Sequence, residues 1–443
     1  MNLVSFSIKT KGIHNFVRRL WTVFARFGFS EARIHQALDA IVSSLQCHGS
    51  APTFFIPAVV LNRHTELIAE IARLGTEIGI HGYVHNDYRT LSESQQYKQT
   101  EQAISIFRQL QIPFLGFRNP YLGWTNASLN VFTKLGLTYE SNEAVLHDVI
   151  DLESLTPLIK SGYEKSLALF QAIPCNTYTV RPHFEGTLLR LPTSIPDDEM
   201  IFDRLRITNP EKVASIWSKV MLHVYELGGL YALNLHPERG ILCKGALDIL
   251  LSYARSLPLP VWVARLGDIA QWWKERSQFR LNINSLDSNR WQVEAICTPR
   301  ATLLARHLVV ENLSASSWDG IDMHIQTHSF IVNTAQCPCL GVSSRTPEYV
   351  IDFLHEQGYP SVRCSQAQAQ IYALYIDLPD GLGTISGERM QRKSALVDQI
   401  EQLEVPFLRF GCWPDGNRAA LAISGDIDSV TIQDFFLRIL EVR

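Results

Sequence analysis

Two histidines four residues apart have the types and spacing to bind a metal ion. The segment His81-Gly-Tyr-Val-His85 directly follows Glu77–Ile80, an apolar run typical of a buried strand. If the segment turns into a helix, both imidazoles lie on one side, where they could ligate Zn²⁺ or another first-row divalent ion. An isolated pair of this kind is more often two surface histidines in a loop, but the preceding strand favours a metal site.

Two other apolar runs also end in residues suited to chemistry. Arg118 and Pro120 follow one run, where an arginine can hold a carboxylate through two hydrogen bonds and a proline stiffens the loop. His236 ends the run Leu230–Leu235 and suits general acid catalysis, because an unperturbed histidine pKa lies near neutrality. The alternatives are a surface turn and an ordinary strand-end histidine.

Acidic residues follow two more predicted strands. Asp197, Asp198 and Glu199 form a run of three, which could position a histidine or bind a metal, or could equally cap a helix or form a solvated loop. Near the end of the chain, the apolar segment 419–425 runs into Asp426 and Asp428, and a short helix is predicted after them. A solvated loop after an ordinary strand is the alternative there.

The elements between these residues alternate in type. Predicted strands are Thr53–Pro57, Glu77–Ile80, Pro113–Phe117, Leu188–Pro192, Leu230–Leu235 and Pro260–Ala264. Predicted helices are Asn62–Leu74, Ser92–Leu110, Thr125–Leu135, Pro210–Leu227 and Leu242–Ser256. Alternation over roughly 250 residues predicts parallel βα units in an α/β barrel, with functional side chains at the carboxyl ends of the strands.

The sequence pattern changes in the rest of the chain. Residues 278–340 show β-type alternation, and helices return at Pro347–Gln357 and Gly387–Gln402. We therefore expect a barrel over residues 1–277, completed by 418–443, and a β-rich accessory module with two helices over 278–417. Trp291 and Trp318 of this module could stack on sugar rings, although core packing is the commoner role of such residues.

Composition narrows the classes of function. The 443 residues are 46% hydrophobic and 19% charged, with a net charge of −4, so no basic field favours nucleic acid. The close pair Cys337-Pro-Cys339 has poor spacing for a zinc knuckle and predicts reduced structural thiols. Neither a signal peptide nor a membrane-spanning run is recognisable, so we expect a cytoplasmic protein without a membrane span.

In this order, the segments resemble the polysaccharide deacetylase family, which is the NodB homology domain or carbohydrate esterase family four. The matching residues are His81 and His85 for the second motif, Arg118, Pro120 and Tyr121 for the third, and Leu235 and His236 for the fifth. The resemblance covers roughly residues 30–276 and implies a distorted (β/α) barrel.

One motif is out of place. The family's first motif, Thr-Phe-Asp-Asp-Gly, should precede Thr53, but the N-terminal strand candidate Leu3–Ile8 carries no acid and Asp39 falls in a helical pattern. Asp426 and Asp428 look like the Asp-x-Asp form of this motif. We therefore hypothesise a circular permutation in which the last strand lies beside the strand at Thr53; a swap between the subunits of a homodimer would have the same effect.

The resemblance implies metal-assisted hydrolysis of an N-acyl group on an amino sugar or oligosaccharide. The implied roles are metal ligation by His81, His85 and Asp428, base catalysis by Asp426 oriented by Arg118, acid catalysis by His236, and oxyanion binding near Tyr121, with Pro120 and Leu235 shaping the substrate site. One divalent ion is implied, with Zn²⁺ first and Co²⁺, Ni²⁺ or Mn²⁺ as alternatives. A metal-free amidase acting on a ureide or cyclic amide, a degenerate glycan-binding barrel and an assembly scaffold remain rival hypotheses.

Overall fold

The computed structural model describes residues 26–311, 316–383 and 386–442. The predicted N-terminal strand Leu3–Ile8 lies outside these residues. The fold is mixed α/β, and the expected distorted (β/α) barrel is confirmed. Among the described residues, none of the helices is both long enough and apolar enough to cross a membrane.

The barrel consists of one curled, open sheet of twelve strands. They are β1 Thr53–Ile56, β2 Glu77–Ile80, β3 Gly116–Phe117, β4 Tyr139–Glu140, β5 Ala144–Leu146, β6 Ile173–Pro174, β7 His183–Glu185, β8 Leu188–Arg190, β9 Thr193–Ile195, β10 Leu230–Leu235, β11 Val261–Val263 and, from the end of the chain, β23 Ala419–Asp426. The order is β6-β5-β9-β10-β23-β1-β2-β3-β4-β8-β7, and β11 also pairs with β23. Among these pairings only β7–β8 is antiparallel, so the other strands point their carboxyl ends the same way.

Helices surround this sheet and the carboxyl-terminal part of the chain. They are α1 Ala32–Gln46, α2 Ala58–Arg63, α3 Thr65–Arg73, α4 Glu93–Gln109, α5 Asn126–Lys134, α6 Pro157–Phe170, α7 Pro210–Glu226, α8 Gly240–Ser256, α9 Leu266–Arg276, α10 Glu348–Glu356, α11 Ser386–Glu401 and α12 Ile432–Glu441. Helix α8 packs against both α1 and α7. Ser92 and Gln95 form a reciprocal capping box at the start of α4.

The prediction of a single helix over Asn62–Leu74 is wrong, because two helices occupy this segment. The chain leaves helical geometry at His64, whose φ is −125° and ψ is 36°. The ring of His64 is held from both sides, with Nδ1 2.5 Å from Glu31 Oε1 and Nε2 2.7 Å from Asp434 Oδ2. These contacts tie α12 to the barrel.

Strand β23 lies at the centre of the sheet, between β10 and β1. Thr53 aligns with Ser424 and Phe55 with Asp426, while Leu235 aligns with Gly425 on the other side. All eight residues of β23 are buried. Ala419, Leu421 and Ile423 join the large core under the outer helices, whereas Ala420 and Ala422 face the core shared with α9 and the carboxyl-terminal part.

Residues 278–417 form three smaller sheets in addition to α10 and α11. Their strands are β12 Arg280–Ser285, β13 Arg290–Ile296, β14 Leu303–Arg306, β15 Val309–Val310, β16 Ser316–Ser317, β17 Asp322–Ile325, β18 Ser329–Asn333, β19 Cys337–Ser343, β20 Ser361–Cys364, β21 Tyr372–Ile376 and β22 Phe407–Phe410. The sheets are β12-β13-β18-β15, β16-β17-β14-β22 and β20-β19-β21, of which the last is parallel. Trp291 and Trp318 each donate the indole N–H to a backbone carbonyl, as packed tryptophans do.

Candidate active site

Residues from both ends of the chain meet at the carboxyl ends of neighbouring strands. His81 follows β2, Arg118 follows β3, His236 follows β10, and Asp426 ends β23. Since β10, β23, β1, β2 and β3 are consecutive in the sheet, their ends lie along one edge. This edge is where parallel βα folds place their chemistry.

His81, His85 and Asp428 converge on one point. Asp428 Oδ1 lies 3.4 Å from His81 Nε2 and 3.2 Å from His85 Nε2. The helix considered after His81 does not form, because residues 81–87 are a loop. Gly82 takes a φ of 86°, which favours glycine, and its carbonyl accepts the N–H of Ala58, so the loop is pinned to α2 and both rings still face Asp428.

The surroundings of these three side chains hold them in the forms that bind metals. His81 Nδ1 donates to the carbonyl of Arg118 at 2.8 Å, so Nε2 is the ring nitrogen that faces Asp428. Burial lowers the pKa of His85, against the opposing effect of Asp428, and so favours the neutral imidazole. Burial alone would raise the pKa of Asp428, but His85 and Arg438 hold it well below its usual value.

Arg438 of α12 binds the other oxygen of Asp428. Its Nη1 lies 2.5 Å from Asp428 Oδ2, while Oδ1 has no hydrogen bond of good geometry. One carboxylate oxygen is thus neutralised by the guanidinium and the other is left facing two imidazoles. The three ligand atoms approach one another without hydrogen bonds between them. A cation bound between them would account for this arrangement.

Asp426 is held apart from this group by Arg118 and Asn234. Arg118 Nη1 lies 3.2 Å from Asp426 Oδ1, and Asn234 Nδ2 lies 3.1 Å from Asp426 Oδ2. Arg118 also donates to the hydroxyls of Ser141 and Ser424, both at 3.0 Å, and is fully buried. This saturated set of hydrogen bonds fixes the guanidinium and hence the direction of the Asp426 carboxylate.

His236 is positioned by Asp198. The Nδ1 atom of His236 lies 2.6 Å from Asp198 Oδ1, and its backbone N–H donates to Asp198 Oδ2 at 2.8 Å. Burial alone would lower the pKa of His236, but the Asp198 carboxylate raises it well above its usual value. The ion pair with Asp198 therefore favours the protonated imidazole, in which Nε2 is the second donor.

Asp197 and Glu199 have no hydrogen bond to the His236 ring among the described residues, although an oxygen of Asp197 lies within 4.8 Å of a ring nitrogen. Asp197 accepts the N–H of Met200 at 2.8 Å, and burial together with Asp198 raises its pKa to about 7. Glu199 pairs with Arg204 at 2.6 Å. Both alternatives for this run therefore hold, each for a different residue. Asp198 positions a histidine, and Asp197 caps the local backbone.

Tyr121, Pro120 and Leu235 surround the group. Pro120 begins a 3-10 turn, and Tyr121 within it takes a φ of 58°. The Tyr121 ring packs edge-on against His85 with 4.8 Å between centroids, and the residue is 41% exposed. Leu235 is buried in β10, immediately before His236.

Sequence reasoning missed Asn234, Ser141, Ser424 and Arg438. The first three lie in or beside strands, where all are buried. A polar residue inside an otherwise apolar run, such as the asparagine of Leu-Tyr-Ala-Leu-Asn-Leu, was the available signal, because a buried amide requires hydrogen-bonding partners. For Arg438, a basic residue of a terminal helix, the sequence offers no signal.

Comparisons with known proteins agree with the family indicated by the motifs. Residues 29–140 match the family model described as polysaccharide deacetylase. The match covers this part of the chain alone, and it agrees with the motifs found there. The match ends before His236, Asp426 and Asp428. No curated protein matches the chain.

Several solved structures are similar to part of the chain. A structure assigned as a polysaccharide deacetylase from Mycobacterium smegmatis is 21% identical, covers 53% of this chain and 76% of its own, and has a TM-score of 0.41. Another, from Pseudomonas aeruginosa PAO1, is 21% identical over 54% and 72% of the two chains, with a TM-score of 0.41. Puue allantoinase is 20% identical over 54% and 72%, with a TM-score of 0.40. Similarity at this level does not extend to substrate or mechanism.

Proposed function

We propose that this site removes an N-acetyl or related N-acyl group from an amino sugar or oligosaccharide, with one divalent metal ion, Zn²⁺ first. The proposal rests on one observation: two carboxylates that are two residues apart in sequence face different partners. Asp428 faces two imidazoles, whereas Asp426 faces a guanidinium and an amide. One acid is thereby suited to metal ligation and the other to proton transfer.

The residues fit a metal ion. His81 presents Nε2 because its Nδ1 is engaged, and Asp428 Oδ1 has no competing hydrogen bond. Two histidines and one carboxylate are a ligand set of catalytic zinc sites, which keep a further position open. A divalent ion bound there would supply Lewis acidity to a water molecule and to the acyl carbonyl.

Asp426 is the general base in this scheme. Arg118 and Asn234 each engage one of its oxygens, which fixes the carboxylate plane and leaves further lone pairs for a water molecule. Asp426 accepts the proton of the attacking water, and Arg118 holds the carboxylate in place.

His236 is the general acid. The hydrogen bond from Nδ1 to Asp198 keeps the imidazolium charged and leaves Nε2 to donate its proton to the leaving amine. The Tyr121 ring packs against His85, and the backbone N–H of Tyr121, whose φ is 58°, is the proposed donor to the developing oxyanion. Base and acid thus lie on neighbouring strands, β23 and β10.

The deciding experiment measures acetate release from N-acetylglucosamine oligomers by the full chain loaded with Zn²⁺. Asp426→Asn should lower kcat by about 10²–10⁴-fold, the usual contribution of a general base. Asp415→Asn is the matched control, since Asp415 is an exposed carboxylate paired with Arg300 in a left-handed conformation that asparagine tolerates. Hydrolysis of allantoin instead of the oligomers would favour the amidase alternative, and equal activity of the two variants would exclude this role of Asp426.

The division of the chain into domains is also a proposal. Residues 1–277 and 418–443 would act as one catalytic unit, and 278–417 as an accessory module. A cytoplasmic location and a homodimer stay predictions from the sequence.

A further inference from the structure

A second group of metal-ligating side chains lies on a different part of the sheet. His147 directly follows β5, and Cys175 directly follows β6. These two strands are parallel neighbours at one end of the sheet, with Leu146 aligned with Pro174. Strands β9, β10, β23 and β1 separate β5 from β2, after which His81 stands. The group is therefore distinct from the site described above.

Helix α7 supplies the third side chain. His223 lies in its last turn, and His223 Nδ1 is 3.8 Å from Cys175 Sγ. The rings of His147 and His223 are 5.5 Å apart between centroids and nearly perpendicular. One ligand atom from each of the three residues lies within 4.8 Å of the other two.

These separations approach those of a tetrahedral zinc site. Bond lengths of about 2.3 Å to sulfur and about 2.1 Å to nitrogen place neighbouring ligand atoms about 3.4–3.7 Å apart. The sulfur–nitrogen distance of 3.8 Å already meets this requirement. The other pairs of ligand atoms must come closer by on the order of 1 Å, which small side-chain rotations can achieve.

His147 provides an independent observation that a ligand belongs there. The residue is fully buried, yet neither Nδ1 nor Nε2 has a hydrogen-bonding partner among the described residues. A buried polar atom without a partner is costly, on the order of 1–3 kcal/mol, so such atoms are rare in folded proteins. Cys175 and His223 are only partly buried, which leaves an entry path for an ion.

We propose that His147, Cys175 and His223 bind a second divalent ion of the zinc type, with three protein ligands and one position open to water. One thiolate and two imidazoles suit Zn²⁺ or Co²⁺ better than the hard cations Mg²⁺ and Ca²⁺. Binding releases the thiol proton of Cys175 to solvent and forms the metal–sulfur bond. The ion joins the sheet edge β5–β6 to α7, so it stabilises this edge.

The competing interpretation is a histidine packed without a ligand beside apolar residues. Val145, Val180 and Met390 form a small cluster against which Cys175 packs. An apolar pocket of this kind would bind no ion.

Cobalt substitution separates the two interpretations, because the His81 site contains no sulfur. Metal-free full-length protein is titrated with Co²⁺ and then with Zn²⁺. We expect a thiolate-to-cobalt charge-transfer band in the near ultraviolet, abolished by Cys175→Ser and weakened by His223→Gln, with an increase in Tm on addition of Zn²⁺ to the unsubstituted protein. Circular dichroism of the metal-free variants verifies that they fold.

Cys297→Ser is the matched control. Cys297 is also partly buried and lies 3.8 Å from a histidine nitrogen, that of His328, but belongs to no group of three ligands within the described part of the chain. This variant should retain the band. A band that persists in Cys175→Ser, or the lack of any thiolate band in the unsubstituted protein, would overturn the proposal. Either result is independent of the proposed deacetylase, because acetate release is not measured.

Discussion

Asp428 Oδ1 lies 3.4 Å from His81 Nε2, although the two residues come from opposite parts of the chain. The contact exists because β23 enters the sheet beside β1, whose other neighbour β2 leads into His81. A pair of histidines four residues apart is weak by itself as a metal site. Under the proposed function, the carboxylate brought by β23 would be the third ligand that such a site requires.

The first prediction concerns metal affinity at this group. Asp428→Asn should weaken Zn²⁺ binding by more than about tenfold, because a neutral amide replaces the charged ligand and Arg438 loses its partner. Isothermal titration calorimetry of the metal-free protein measures the change. Asp426→Asn serves as the control and should bind Zn²⁺ with nearly unchanged affinity, since Asp426 contacts Arg118 and Asn234 instead. Equal losses in the two variants would contradict the division of roles.

The second prediction concerns pH. Asp198 raises the pKa of His236, so removal of the charge by Asp198→Asn lowers that pKa. An acid with a lower pKa loses its proton earlier as pH rises. The alkaline limb of the kcat/KM profile should therefore move to lower pH, with activity at low pH less affected.

Glu199→Gln is the control for this shift, because Glu199 neighbours Asp198 but pairs with Arg204. Its profile should match that of the unsubstituted protein. An alkaline limb that stays in place in Asp198→Asn would show that His236 does not act as the acid.

The long strands and the strand-end residues could be predicted from sequence, because burial on both faces makes near-continuous apolar runs. β1, β2 and β10 are such runs, and each is found within about a residue of its predicted bounds. Strands of two or three residues that contain polar groups, such as Tyr139–Glu140 and Thr193–Ile195, were missed since so few residues carry no periodicity.

Contacts within the site were less predictable. Which acid of the 197–199 run meets His236 depends on the backbone turn at the end of β9, and a spacing pattern does not specify this turn. Asn234 was overlooked because its neighbours are apolar, although its amide engages Asp426. The parallel sheet around β19 within the β-rich region was also missed, since its strands are separated by irregular segments and one short helix.

The third prediction concerns the docking of α12, which carries Arg438. Asp434 is almost fully buried and contacts both His64, at 2.7 Å, and Arg63, at 3.0 Å. Asp434→Asn retains the capping geometry at Thr431 but removes these charge-assisted bonds, so the free energy of unfolding should fall by about 1–3 kcal/mol. Urea denaturation measures this change.

The same pair makes stability depend on pH. Burial opposes ionisation, but Asp434 and Glu31 raise the pKa of His64, so its contribution is complete below the unfolded value of about 6.5 and declines as pH rises through the raised native pKa. The pKa of Asp434 is lowered by His64, against burial, so its contribution is lost as pH falls through that lowered value. A pH dependence in Asp434→Asn as steep as in the unsubstituted protein would contradict this assignment.

The last prediction concerns Gly425, which precedes Asp426 in β23. A Cβ added there would lie 2.5 Å from the carbonyl oxygen of Leu235 and 3.1 Å from the ring of Phe54. Backbone must move to relieve the first contact, and both Asp426 and His236 are attached to the backbone that moves. Gly425→Ala should therefore cost about 1–3 kcal/mol of stability through overpacking, and kcat should fall by about 10²-fold if base and acid shift by about 1 Å.

Gly162→Ala is the matched control, since Gly162 lies within α6 and an added Cβ there has no neighbour within 4 Å. Alanine has the higher helix propensity, so stability should rise by up to about 1 kcal/mol with unchanged kcat. Urea denaturation and acetate release distinguish the two substitutions. Unchanged kcat in Gly425→Ala, together with lowered stability, would mean that the catalytic geometry tolerates a displaced β23–β10 pair, and that the alignment of Gly425 with Leu235 serves the fold alone.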